Sequence, residues 1–165
     1  MVDIEIVIEP IFTVSYLSKQ KLEPLMSGYS GTPLPKKLGL KSGQAALLLG
    51  VPREIAEVRN FSGFTYVRKS MRNLSGRQFD YVHLFVKKRG KLEATIPQIR
   101  SLLKPDGMMW ISWAKRSSGV KTDITEGVLR DVILPYGLVD VKVCAIDVTW
   151  SGLKFMFRKE VRPNL

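Results

Sequence analysis

Three short apolar runs, Ala45 to Leu49, Phe79 to Val86 and Met108 to Trp113, constrain this 165-residue chain more than any other feature. Each has the length of a strand, and the first runs without polar interruption, the pattern of a strand buried on both faces. Between the second and third, Lys91 to Leu103 repeats Leu92, Ile96, Ile99 and Leu103 at helical spacing. Pro97 lies inside that segment and predicts a kink or a late helix start. Strands alternating with helices give an α/β domain with a mostly parallel sheet.

The remaining elements follow from local signals. Thr32 and Pro33 read as the cap and first residue of a short helix that Gly39 stops, Pro52 to Arg59 as a helix and Phe64 to Arg68 as a strand. Lys104-Pro105-Asp106-Gly107 reads as a turn. Asp123 with Glu126 three residues on forms a capping-box pattern for a helix that Pro135-Tyr136-Gly137 ends near Leu134. Val139 to Asp147 and Gly152 to Arg158 form an antiparallel hairpin closing the sheet. Upstream, Val2 to Ile8 alternate as a half-exposed strand, Ile11 to Leu17 offers a second strand, and Lys19 to Ser27 is a polar connector. Residues 1–27 thus read as an extension and residues 28–162 as one α/β domain.

Twenty-six Lys and Arg against 15 Asp and Glu give a net charge of +11, which favours an anionic partner: nucleic acid, a phosphorylated small molecule or an acidic protein. A solvated basic surface is the competing explanation. One cysteine, Cys144, fits a reducing cytoplasm and excludes an internal disulfide. The N-terminal acids and the shortness of the uncharged run Ser42 to Pro52 speak against export and membrane insertion. The sequence sets no oligomeric state.

The order strand, helix, Lys-Pro-Asp-Gly, strand, helix, Gly137-Leu138, strand, hairpin strand resembles the C-terminal half of the class I S-adenosylmethionine-dependent methyltransferases. Leu38 to Gly43, ahead of the first core strand, is similar to the approach to their first motif. The resemblance implies a Rossmann-like sheet with a Gly-x-Gly-x-Gly cofactor loop after a strand bearing an acid. Here Leu48 holds the acidic position and Gly50-Val51-Pro52-Arg53 contains one glycine, while Arg68-Lys69 stands where the family places a ribose-binding acid. The stretch from Gly50 to Phe79 has room for one helix and one strand, so the fold reads as a truncated Rossmann-like sheet. A second resemblance rests on Gly28 to Leu34, Asp80 to Phe85, Trp110-Ile111-Ser112-Trp113 and Leu138 to Cys144. These are similar to the bacterial family known as domain of unknown function 3052, which implies no particular activity, cofactor or catalytic residue.

Ligands of open parallel sheets bind beyond the carboxyl ends of the strands. The residues following the expected strands are Arg53, then Arg68 and Lys69, then Lys87, Lys88 and Arg89, then Lys115 and Arg116 with Lys121 beyond. Ser117 and Ser118 add small donors to the last group. These residues form an expected anion-binding edge, with the loop Lys115 to Lys121 at its centre, where the helix after Asp123 adds its N-terminal dipole. Tyr29 and Ser30 sit in a turn able to cover that edge. His83, the one histidine, lies mid-strand and reads as a satisfied core residue, and Cys144 as a small hydrophobe. One Cys and one His exclude a zinc site of the usual Cys/His kind. Trp110 and Trp113 have opposite parity and face opposite sides of the sheet, which makes Trp110 a core residue. Trp113, beside the basic loop, and Trp150, in the hairpin, are candidate ligand contacts against a structural-anchor alternative.

From these residues the expectation is a non-enzymatic, methyltransferase-like domain that has lost its cofactor and binds an anionic ligand or partner. The alternatives are an active methyltransferase with a divergent cofactor loop, and a nucleic-acid-binding protein.

Overall fold

A computed structural model describes residues 31–165. The strands expected at Val2 to Ile8 and Ile11 to Leu17, the connector and the Tyr29-Ser30 turn lie outside the described residues. Six strands form one mixed sheet in the order β2-β1-β3-β4-β6-β5: β1 Ala45–Leu49, β2 Tyr66–Arg68, β3 Phe79–Phe85, β4 Leu103–Ala114, β5 Leu138–Ala145 and β6 Trp150–Phe157. The first four run parallel, and β6 pairs antiparallel with both β4 and β5. This is the mostly parallel sheet with a closing hairpin that the apolar runs predict. One helix and one strand separate β1 from β3, as the spacing requires.

Helices cover both faces: α1 Leu34–Leu38, α2 Ala56–Arg59, α3 Arg89–Leu102 and α4 Glu126–Ile133. Strand parity sorts the core. Leu47, Val82, Leu84, Met109, Ile111 and Trp113 pack with Leu92, Ile96 and Ile99 of α3 and Leu129 and Ile133 of α4. Ala46, Leu48, Tyr81, Phe85 and Trp110 face the other way, onto Leu34 and Leu38 of α1 and Val58 of α2. The two tryptophans of β4 therefore sit on opposite faces. Trp110 is fully buried, with its indole N–H donating to the Leu38 carbonyl at 2.9 Å. Gly39 and Gly137 end their helical turns at φ 76° and 85°, a conformation that glycine adopts without steric penalty.

Several local expectations are corrected. The first helix has Pro33, not Thr32, at its cap position and no side-chain cap. Helix α2 starts only at Ala56, and β2 only at Tyr66. Helix α3 begins at Arg89, eight residues ahead of Pro97, so the proline does not delay its start. Lys104 to Gly107 lies within β4 as an irregularity, where a side chain at Gly107 would meet the Phe79 carbonyl oxygen and Leu103.

Asp123 does not cap α4. Thr125 does, its hydroxyl accepting from the Val128 N–H at 3.2 Å. The Asp123 carboxylate instead accepts from the Arg89 N–H at 2.6 Å, satisfying a free donor at the start of α3. Asp123→Ala is expected to lower folding stability by about 1 kcal/mol, the usual worth of a cap. Asp123→Asn should lose less, and the comparison is read from urea midpoints.

Candidate functional site

The chain leaves β1 on one side to form β2 and crosses to the other side to form β3. The crevice of such a sheet lies at that reversal, between the carboxyl ends of β1 and β3. Gly50, the first residue after β1, has φ 70°, and a Cβ there would stand 3.1 Å from the Phe85 carbonyl oxygen at the end of β3. Glycine is required on both counts. Beside it a small cavity of about 110 Å³ is lined by Leu48, Gly50, Val51, Arg59 and Lys69. The Arg59 guanidinium donates to the Val51 carbonyl at 2.8 Å, bracing the loop after β1.

A larger cleft of about 610 Å³ opens at the end of β4 and the start of α4. Trp113, Ala114, Val120 and Ile124 supply its apolar wall, and Arg116, Lys121 and Glu126 its charges. The loop forming it is held from several directions. Lys115 N–H donates to the Thr149 carbonyl at 2.7 Å, Ser118 hydroxyl to the Lys115 carbonyl at 2.6 Å, and Thr122 hydroxyl to the Lys87 carbonyl at 2.8 Å.

The basic residues expected along one edge are thus distributed among different surroundings. Lys69 joins the crevice at β1, and Arg116 and Lys121 line the cleft at β4. Arg68 turns back instead, donating to the Tyr66 hydroxyl at 3.2 Å and the Arg72 carbonyl at 3.1 Å. Arg89 pairs with Glu93 at 2.6 Å along α3. Arg53, Lys87, Lys88 and Ser117 are exposed and line neither cavity, while Ser118 uses its hydroxyl within the loop. Arg59 is the site residue that sequence reading missed. Its only sequence signal is its place at the end of the helix after β1, and its role depends on a bond to Val51 that no local pattern announces.

His83 occupies the middle of β3 with no exposed surface. Its Nδ1 lies 2.8 Å from the Tyr81 hydroxyl and its Nε2 2.7 Å from the Ser112 hydroxyl, so both ring nitrogens are satisfied by a neutral imidazole that donates from one and accepts at the other. Burial lowers its pKa to about 3. Burial likewise pushes the Tyr81 phenol well above its ordinary range and raises the Cys144 thiol. None of the three is poised for acid–base or nucleophilic work near neutral pH. Trp150 is buried edge-on against Phe85, ring centres 5.0 Å apart, and is a core residue; Trp113 borders the larger cleft.

No family model and no curated protein matches the chain. Solved structures do. A protein assigned as a type 11 methyltransferase from Sulfolobus solfataricus superposes with a TM-score of 0.56 at 13% identity, covering 76% of this chain and 90% of that one. A SAM-dependent methyltransferase from Aquifex aeolicus gives 0.55 at 13%, covering 74% and 87%. A TehB-like SAM-dependent methyltransferase from Corynebacterium glutamicum gives 0.53 at 12%, covering 90% and 100%. The fold is therefore the methyltransferase-like Rossmann fold.

These neighbours overturn the expectation of a non-enzymatic domain without a cofactor, which rests on side-chain identity, charge and the short stretch from Gly50 to Phe79. The physical reason is visible at the crevice. Its glycine turn and strand ends are backbone features that survive the loss of neighbouring glycines, and Arg68, read as replacing a ribose-binding acid, points elsewhere. Among the described residues no helix is long and apolar enough to cross a membrane.

Proposed function

We propose that this chain is an S-adenosylmethionine-dependent methyltransferase with a divergent cofactor loop. The observation that carries the reading is Gly50, a left-handed turn at the topological switch point of a methyltransferase-like sheet, flanked by the cations Arg59 and Lys69. Bound there, S-adenosylmethionine would supply a methyl group on a sulfonium, transferable to a nucleophile that gives up a proton, with the carbon–sulfur electron pair remaining on sulfur. The lining residues fit the carboxylate end of such a molecule: Arg59 and Lys69 offer charged donors beside Gly50. Among the described residues no carboxylate lines the crevice for the ribose hydroxyls, and this is where the loop has diverged.

The likeness to the family of unknown function 3052 belongs to the same proposal. So does a cytoplasmic setting, supported by a single cysteine that is buried and unpaired.

Titration calorimetry with S-adenosylmethionine and S-adenosylhomocysteine tests the reading. Saturable binding in the micromolar range is expected for both. Heat no larger than dilution with either compound, at protein concentrations of about 100 μM, would sink it, since a resident cofactor must bind at working concentrations.

A further inference from the structure

The cleft at the end of β4 is distinct from the crevice at Gly50, and its charges are unevenly satisfied. Its carboxylate, Glu126, is bonded to Arg130 at 3.0 Å, and that arginine also holds Asp140 at 3.1 Å. The neighbouring Asp123 is committed to the start of α3. The side chains of Arg116 and Lys121, in contrast, make no hydrogen bond or ion pair among the described residues. Two uncommitted cations therefore stand at a cleft whose acids are engaged. Beneath them the wall is apolar: Trp113 and Ile124 are 8% and 3% exposed, and Val120 lies beside them. A volume of about 610 Å³ is in the range of small-molecule sites, and the wall-plus-few-charges composition is typical of them.

We infer that this cleft binds a small amphipathic anion, an apolar ring or short acyl body carrying a carboxylate or phosphate. The apolar body lies against Trp113 and Ile124, and the anionic group meets Arg116 and Lys121. Inorganic phosphate alone leaves the apolar wall unused, and a neutral aromatic leaves the cations unused. The loop is already braced by the bonds of Ser118, Thr122 and Lys115, so little ordering opposes binding. Calling the ligand the methyl acceptor rests on the methyltransferase reading; the binding itself does not.

Phenyl phosphate serves as the probe, with phenol and inorganic phosphate as its two halves, followed by calorimetry and by tryptophan fluorescence. Phenyl phosphate is expected to bind at least about tenfold tighter than either half, and Arg116→Glu/Lys121→Glu to weaken it at least about tenfold, as loss of charge-assisted bonds implies. Both substituted residues are exposed, and an unchanged melting temperature of the ligand-free variant confirms that it folds. Equal binding by wild type and variant overturns the site. Inorganic phosphate binding as tightly as phenyl phosphate overturns the amphipathic class. Phenyl phosphate binding in a protein that ignores S-adenosylmethionine supports this cleft while removing the methyltransferase reading.

Discussion

Lowering the pH from 7 to 4 is expected to remove about 3 kcal/mol of folding stability through His83 alone. The imidazole is fully buried on the sheet face under α1, between Phe85, whose ring stacks on it at 4.6 Å, and Trp110. Burial holds its pKa at about 3, against 6.5 in an exposed chain, because a fully buried imidazolium would lose its hydration. The sign follows from which state takes the proton. As pH falls through 6.5 the unfolded chain protonates while the folded one does not, so the unfolded state gains about 1.4 kcal/mol per pH unit until the folded pKa is reached. Stability is therefore intact above 6.5 and declines from there towards pH 3.

His83→Gln separates this effect from the carboxylates that titrate over the same range. Glutamine offers both a donor and an acceptor to Tyr81 and Ser112 but does not titrate. Urea unfolding of both proteins at pH 7 and pH 4 should show the variant weaker at pH 7 and less sensitive to acid by about 3 kcal/mol. The same pH dependence in both would clear His83 of responsibility.

The histidine also illustrates what was legible in the chain. Its position in an apolar strand marked it as buried, because strand parity is a local property readable from residue order. The opposed faces of Trp110 and Trp113 followed from the same parity, and the stops at Gly39 and Gly137 from the steric freedom of glycine. What could not be read is which partner a polar group selects. Asp123 lies in a good local capping pattern yet bonds the Arg89 N–H, 34 residues earlier, because the fold brings the loops after β3 and β4 together. Arg68 and Lys69 are adjacent in sequence but divide, one folding back on Tyr66 and Arg72 and the other lining the crevice. The cations that follow the strands have different surroundings: Arg116 and Lys121 line the cleft, Lys69 the crevice, and Arg68 and Arg89 bond to other groups of the chain. The functional expectation is corrected for a like reason: Leu48 and Arg68 are local side-chain signals, whereas the backbone geometry at Gly50 exists only in the fold.

That geometry yields the second large effect. Arg59→Gln/Lys69→Glu is expected to weaken S-adenosylhomocysteine binding by about 30-fold, as removal of two charged donors and introduction of one repelling carboxylate imply. Adenosine, which lacks the amino-acid carboxylate, should bind wild type and variant within about twofold of each other. The contrast matters because Arg59 also braces the loop through the Val51 carbonyl at 2.8 Å. If its contribution were only to hold the loop, both ligands would lose affinity together, and Lys69→Glu alone would leave both unchanged. A selective loss for the carboxylate-bearing ligand, reproduced in part by Lys69→Glu, locates the cations at the amino-acid end. Equal losses for the two ligands would remove Arg59 and Lys69 from that role and leave Gly50 and the backbone after β1 as the whole of the binding surface identified at this crevice.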